Sequence, residues 1–171
     1  IENDILKVNM NDLLRSLASK YKVIANLPYY ITSPIIRLFL ESDIPPSEMI
    51  LMVQKEVAER IVSKPGKMSI LSVSVQYYAR PEILFTVGKE NFDPVPEVES
   101  AVIRISRIAK PDDKRIKTND FFRVVRAGFC AKRKTLANNL ANSFHMDKME
   151  VENKLRKIGL DKKVRAQELG V

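Results

Sequence analysis

The chain has 171 residues, of which 45% are hydrophobic and 29% charged, with a formal net charge of +8. The apolar fraction is enough to build a core and excludes a disordered tail. One cysteine, Cys130, and one histidine, His145, exclude a disulfide framework, Cys- or His-rich metal sites and the usual nucleophile–histidine triads. No apolar run approaches the roughly 18–20 residues of a membrane span. We therefore expect neither a metal nor a membrane partner.

The excess positive charge lies entirely in the second part of the sequence. Residues 1–108 contain 13 Lys+Arg and 13 Asp+Glu, whereas residues 109–171 contain 16 and 8. This predicts a neutral domain at 1–108, a polar linker at 109–118 and a basic helical domain at 119–171. Phosphate contacts would give the basic domain affinity for nucleic acid. A solvated helical surface that only aids solubility is the alternative.

The first residue is Ile1 rather than Met, and no signal segment follows it. This predicts a cytoplasmic protein and a chain that begins mid-protein. We also expect a monomer.

The first 63 residues alternate between helical and strand patterns, which is typical of an α/β fold with a parallel sheet. In chain order they predict a helix at 11–20 capped by Asn11, a strand at 21–25, a helix through 41 that Ser33 caps and Pro34 opens, a strand at 48–54 and a helix at 55–63.

The remaining pattern changes from mixed to purely helical. Residues 64–67 predict a turn, and 68–78 fit a strand by their alternation, although a helix is also possible. Strands at 81–87 and 99–106 flank the proline-rich loop 92–98 and predict an antiparallel pair at one sheet edge. Helices follow at about 119–129, 133–143 and 147–158, and another begins near 165.

The tetrapeptide Asn26-Leu-Pro-Tyr29 follows a predicted strand, where open parallel sheets bind their ligands. The Asn26 side chain and the Leu27 carbonyl can both accept hydrogen bonds. Pro28 stiffens the turn, and Tyr29 offers a flat face for stacking. These groups fit an exocyclic amino group on a planar base, although a plain Asn-Pro turn with a half-buried tyrosine remains open.

Several segments in order resemble the ribosomal RNA adenine N6,N6-dimethyltransferase family, the KsgA-type small-subunit enzymes related to the erythromycin-resistance methylases. They are NLPYYITSPI at 26–35, VQKEVAERI at 53–61, LSV at 71–73, FDPVPEVES at 92–100 and AKRKTLANNL at 131–140. The second and last favour the ribosomal branch. The resemblance also favours a helix over a strand at 68–78.

The resemblance implies the C-terminal half of a class I (Rossmann-like) methyltransferase domain, followed by a small all-α domain, with S-adenosylmethionine as methyl donor. It assigns the target base to five residues: Asn26, Leu27, Pro28, Tyr29 and Phe92. Tyr29 and Phe92 would sandwich the adenine. Cofactor contacts are implied for Asn26 and for Asp4, whose segment Asn3-Asp-Ile-Leu6 resembles the family's Gly-Asp-x-Leu.

The sequence also departs from the family pattern. The glycine-rich cofactor loop is missing among its five glycines, Asn3 replaces a glycine, and Lys67-Met-Ser-Ile70 stands where the family has Tyr-Gly. We therefore expect a fragment trimmed at both ends, with a donor pocket only half built.

Five cations are the candidate RNA contacts. Lys132, Arg133 and Lys134 lie near the predicted start of a helix, where cations oppose the helix dipole; Arg123 and Arg126 lie one helix earlier. An ordinary solvated turn is the alternative. Cys130 is expected to be a buried thiol, and His145 a loop or cap residue.

These features predict dimethylation of adenines in small-subunit ribosomal RNA, with a role in ribosome assembly. Orientation and acceptors aimed at N6 would carry the catalysis, which fits a chain with one histidine. Two alternatives remain: a non-catalytic ribosomal RNA-binding or assembly factor, and a DNA adenine N6-methyltransferase. The latter enzymes usually have Pro where this chain has Leu27.

Overall fold

The computed structural model describes residues 4–8, 14, 21–108 and 117–171. Contacts between Cα atoms group the chain into two compact units: Ile1–Val62 with Ser74–Lys110, and Ser63–Val73 with Pro111–Val171. Residues 63–73 thus group with the basic part of the chain, which the charge distribution did not indicate. Apart from Leu14, the predicted helix at 11–20 lies outside the described residues, as does most of the predicted linker. The predicted domain boundaries stay a prediction.

A four-stranded sheet is the frame of the first unit. Its strands are β1 (Lys22–Asn26), β2 (Glu48–Gln54), β3 (Ala79–Val87) and β4 (Ser100–Arg107), in the order β1-β2-β4-β3. Strands β1 and β2 are parallel, whereas β4 is antiparallel to both β2 and β3. The predicted α/β class and the antiparallel pair at one edge are therefore confirmed.

The two central strands supply the core of this unit. Met49, Leu51 and Val53 alternate along β2 and are fully buried, as are Ala101 and Ile103 on β4. This period of two places these side chains on one face of each strand.

Two helices follow the parallel strands: α1 (Thr32–Leu40) and α2 (Lys55–Ile61). The predicted cap Ser33 is wrong, because α1 already begins at Thr32 and has no side-chain cap. A 3₁₀ turn at Tyr29–Ile31 leads directly into the helix, and the Thr32 amide donates to the Tyr29 carbonyl. The helix therefore continues directly from this turn, and Ser33 lies inside its first turn rather than at its cap.

The ambiguous segment at 68–78 contains a helix, α3 (Ile70–Gln76). The Ser69 amide donates to the Ser72 hydroxyl at 2.6 Å, and the Ser72 amide donates to the Ser69 hydroxyl at 3.2 Å. These reciprocal bonds act as a capping box does. Local capping therefore selects the helix that alternation alone left open.

From Thr118 onward the second unit consists of helices joined by turns. It contains α4 (Thr118–Gly128), α5 (Leu136–Phe144), α6 (Lys148–Lys157) and a 3₁₀ turn at Ala166–Glu168. A buried cluster packs α5 against α6 through Leu136, Ala137, Ala141, Val151 and Leu155.

The helix predicted at 133 begins instead at Leu136, because Thr135 caps it by accepting from the Asn138 amide. His145 adopts the left-handed conformation at the end of α5, with φ 53°, which confirms its prediction as a cap residue.

The buried face of β2 gives a stability prediction. Leu51→Ala should destabilise the first unit by about 2–5 kcal/mol, because it leaves a cavity in a fully buried strand. Leu84 is the matched control, since it lies at a register irregularity in β3 and is 41% exposed; Leu84→Ala should cost about 1 kcal/mol or less. Urea unfolding of both variants measures the difference, and equal losses would contradict the placement of Leu51.

Candidate active site

The candidate base-binding residues lie along one edge of the sheet, the edge formed by the ends of its strands. Strand β1 ends at Asn26, which pairs with Met52 near the end of the parallel strand β2. Ser100, at the start of β4, pairs with Gln54 on one side and with Val87, the end of β3, on the other. The segments that leave β1 and β3 therefore emerge at the same edge.

The tetrapeptide Asn26–Tyr29 is fixed by its second residue. Leu27 is buried, and its amide donates to the Met52 carbonyl at 3.3 Å. Asn26 and Pro28, on either side, are exposed. The Pro28 carbonyl accepts from the Ile31 amide at 3.1 Å and so starts the 3₁₀ turn. The anchored Leu27 thus holds the Asn26 side chain at the surface at the end of β1, where it can accept hydrogen bonds from a ligand.

Tyr29 is tied to the neighbouring strand through its hydroxyl. This hydroxyl lies 2.8 Å from the Ser100 hydroxyl, and either oxygen can be the donor. Tyr29 is half-buried, Ser100 is fully buried, and the next residue, Tyr30, is 85% exposed. The bond holds the tip of the Tyr29 ring, and a hydrogen bond at the tip leaves a ring's faces open to stacking.

Phe92 lies in the loop that joins β3 to β4. A 3₁₀ turn at Lys89–Asn91 precedes it, and the Phe92 amide donates to the Lys89 carbonyl at 3.3 Å. The Phe92 side chain is half-buried, and the Asp93–Pro94 peptide bond is cis. The hydrogen bond to Lys89 gives Phe92 a defined backbone position beyond the edge from which Tyr29 also emerges.

An ion pair anchors the far end of this loop. The Lys55 amide donates to the Glu99 carbonyl at 2.9 Å, and the Lys55 ammonium lies 2.6 Å from the Glu99 carboxylate. The hydrogen bond raises the pKa of Lys55 and lowers the pKa of Glu99, which favours the charged form of each group. Sequence reasoning missed this anchor.

Asp4 directly precedes a turn at residues 5–7. Its carboxylate accepts from the Leu6 amide at 3.1 Å and lies 3.7 Å from the Lys7 ammonium. Asp4 is exposed. Its cofactor role stays a prediction.

The five candidate RNA-binding cations are all exposed. Arg123 and Arg126 lie on α4, and the Arg123 guanidinium stands 5.0 Å from the centre of the Phe144 ring. Such stacking orients a guanidinium without neutralising it.

Lys132, Arg133 and Lys134 occupy a turn before α5, closed by a bond from the Lys134 amide to the Ala131 carbonyl. These three cations thus lie outside the helix that was predicted to include Arg133 and Lys134.

A buried asparagine holds this basic turn. Asn139 is 4% exposed, and its side-chain amide donates to the Gly128 carbonyl at 2.6 Å and the Ala131 carbonyl at 3.1 Å. It thereby joins the end of α4 and the turn to α5. Sequence reasoning missed this residue, although a polar side chain three residues after Leu136, on the same face of the predicted helix, was a usable signal.

Cys130 is exposed, so its prediction as a buried thiol is wrong. It lies just beyond α4, where its amide donates to the Ala127 carbonyl. The chain has left the buried face of the helix at that point.

Two classes of site find no support in the described part of the chain. No cluster of three or more His, Cys, Asp and Glu side chains within residues 4–8, 14, 21–108 and 117–171 could hold a metal ion. None of the helices there is long and apolar enough to cross a membrane.

Comparison with solved structures defines the class of the fold. A dimethyladenosine transferase from Plasmodium falciparum superposes over 99% of this chain and 66% of its own, with a TM-score of 0.75 and 23% identity. The 23S rRNA methyltransferase ErmE matches over 98% and 67%, with a TM-score of 0.68 and 23% identity. The chain therefore has the Rossmann-like methyltransferase fold with its helical extension.

The sequence comparisons identify the family. The model of the family "Ribosomal RNA adenine dimethylase" matches residues 1–170, so this chain belongs to that family. A ribosomal RNA small subunit methyltransferase A from Dehalococcoides mccartyi is 40% identical over the whole chain, and the namesake from Bacillus cytotoxicus is also 40% identical. The chain spans 58% and 61% of the length of these relatives.

The clamp by Asn139 gives a second prediction. Asn139→Ala removes the side-chain donor to the Gly128 carbonyl and leaves the Ala131 carbonyl with the Lys134 amide. The loss of both side-chain bonds should destabilise the second unit by about 1–3 kcal/mol. Asn142→Ala, an exposed position on the same helix, is the matched control and should change little. Thermal unfolding gives the stability, and faster amide exchange at residues 131–134 would show the loosened turn. An unchanged exchange rate there would refute the clamp.

Proposed function

We propose that this chain carries the base-binding part and the RNA-binding part of an S-adenosylmethionine-dependent enzyme. The enzyme would dimethylate N6 of adenines in small-subunit ribosomal RNA and act in ribosome assembly, as a cytoplasmic monomer. The observation that carries the proposal is the shared sheet edge, where the exposed amide of Asn26, the tethered ring of Tyr29 and the loop of Phe92 emerge together. The family match over residues 1–170 supports it.

The chemistry assigned to this edge needs acceptors and stacking faces rather than a strong base. The amino group of adenine is a weak nucleophile because its lone pair is delocalised into the ring. We propose that the Asn26 side-chain oxygen and the Leu27 carbonyl accept its two hydrogens and favour a pyramidal nitrogen. Tyr29 and Phe92 stack on the base and hold its plane. The methylated amine becomes acidic and releases its proton to water.

The donor would be held by Asn26 at this edge and by Asp4. S-adenosylmethionine supplies a methyl group bound to a positively charged sulfur. The exposed carboxylate of Asp4 and the exposed amide of Asn26 fit such a ligand, because both offer acceptors for its amino groups. We assign these two residues to the cofactor.

The basic second unit would supply affinity for RNA. Residues 117–171 contain 13 Lys+Arg and 6 Asp+Glu. Phosphate contacts from Arg123, Arg126 and the turn at 132–134 position the RNA without reading its sequence.

The direct test is methyl transfer from labelled S-adenosylmethionine to undermethylated small ribosomal subunits. Two proteins should be compared: this chain, and a chimaera that joins it to the parts of the Dehalococcoides mccartyi relative outside the match. Label in the RNA from either protein supports the proposal. RNA binding without label from either favours a non-catalytic assembly factor, and preferential labelling of duplex DNA in competition favours a DNA methyltransferase.

Asn26→Ala separates chemistry from binding. In whichever protein is active, it should lower the rate of transfer by about 100-fold or more, because an acceptor aimed at N6 is lost. RNA affinity should stay within about twofold, since phosphate contacts provide most of it. Asn153→Ala, at an exposed position on α6, is the control and should do neither. A parallel loss of RNA affinity in Asn26→Ala would count against the assigned role.

The basic turn can be tested through salt dependence. Replacing Lys132, Arg133 and Lys134 by glutamine should weaken RNA binding. The slope of log affinity against log salt concentration should become shallower by about 2–3, because each phosphate contact contributes about 0.7–0.9 to that slope. The control replaces Lys22, Arg80 and Arg107, exposed cations at the sheet edge opposite Asn26. If both triple variants change the slope equally, only net charge matters and the turn is not a contact surface.

A further inference from the structure

The rigid partner of the candidate stacking residue is Ser100. It is fully buried and begins β4, a strand hydrogen-bonded on both sides. The neighbouring residue, Glu99, is bonded to Lys55 through both its backbone and its side chain. The Ser100 hydroxyl therefore has a fixed position in the frame of the sheet.

Tyr29, by contrast, belongs to a short turn beyond β1. Pro28 before it and Tyr30 after it are exposed, so the packing around the turn leaves much of this segment to solvent. A tyrosine ring rotates about two side-chain bonds, and stacking requires its plane to be held. The 2.8 Å bond between the two hydroxyls holds the ring at its outer end.

We infer that Ser100 is a positioning residue for base binding, which acts by orienting the ring of Tyr29 through this hydrogen bond. The inference rests on the proposed function, because a bound base is what gives the orientation of the Tyr29 ring its function. In this role the phenol of Tyr29 performs no acid–base step. Its hydroxyl serves as an attachment point, and its ring faces remain for the base. Loss of either hydroxyl should therefore have the same consequence.

A merely structural role for Ser100 makes a different prediction. A buried hydroxyl needs a hydrogen-bond partner in any case, and Tyr29 could serve only to satisfy it. Ser100→Ala would then be harmless to the site, because it removes the polar group and its need together. Tyr29→Phe would leave Ser100 unsatisfied and lower stability, without altering how a base stacks.

The experiment measures stacking directly and needs no methyl donor. The probe is a short single-stranded RNA with one 2-aminopurine among uridines, whose fluorescence falls when the base stacks on an aromatic ring. The 171-residue chain is compared with Ser100→Ala, Tyr29→Phe and the double variant, all at saturating protein. Ser106→Ala, at the other end of β4, is the matched control. RNA affinity is measured separately by anisotropy of an end label.

We expect the chain and the Ser106→Ala variant to quench the probe equally. Ser100→Ala and Tyr29→Phe should each lower the stacking equilibrium constant by about two- to tenfold, the usual effect of one lost hydrogen bond. The double variant should lose no more than either single variant, because both remove the same bond. RNA affinity should change by less than about twofold, since phosphates provide most of it.

Three results would overturn the inference. Wild-type quenching by Tyr29→Phe would show that the bond does not orient the ring, and this variant leaves Ser100 in place even if Ser100→Ala fails to fold. Additive losses in the double variant would mean that the two residues act separately. RNA bound at full affinity without any quenching by the wild-type chain would remove the base-stacking site itself, and thus the proposed function along with this role of Ser100.

Discussion

Strand β2 pairs with a parallel strand on one side and an antiparallel strand on the other, and the arrangement of the candidate site depends on this pairing. Parallel pairing places the ends of β1 and β2 at one edge. Antiparallel pairing places the start of β4 and the end of β3 at the same edge. Two segments far apart in the sequence, at 26–29 and 88–99, therefore emerge together. Met49, Leu51 and Val53, buried along β2, fix the register on which this depends, since a slip by one residue would turn them outward.

Features governed by local chemistry could be predicted from the sequence. The bounds of β2 follow from a continuous apolar run between polar ends, and the helices of the second unit follow from their apolar spacing. The segment at 26–29 was placed correctly after a strand, because the turn signal Asn-Leu-Pro is local. Thr135 and Asp147 cap α5 and α6 with their side chains, and such caps are short-range signals of the same kind. The start of α5 was nevertheless predicted at 133, before Thr135.

Features that depend on the fold around a residue, rather than on its own type, could not be predicted. Ser33 is a suitable cap by residue type, but α1 continues directly from the 3₁₀ turn at Tyr29–Ile31 and begins one residue before Ser33. Cys130 lies two residues beyond the end of α4 and is exposed. Glu99 and Ser100 gain their roles from Lys55 and Tyr29, which lie 44 and 71 residues away in the sequence. A single sequence without an alignment holds no signal for such pairs.

The distribution of charge places the two proposed tasks, base binding and phosphate binding, in different parts of the chain. At the sheet edge the cation of Lys55 is matched by Glu99, and residues 1–108 carry equal numbers of acidic and basic side chains. This edge has little to offer a phosphate backbone, so the proposed affinity for RNA is assigned to the second unit, where cations exceed acidic groups by about two to one. A neutral base pocket is suited to its proposed task, because a cation beside N6 would compete for the lone pair that the acceptors are meant to expose. The orientation of rings and carbonyls then becomes what the pocket must control, and hydrogen bonds to a rigid strand supply that control without adding charge.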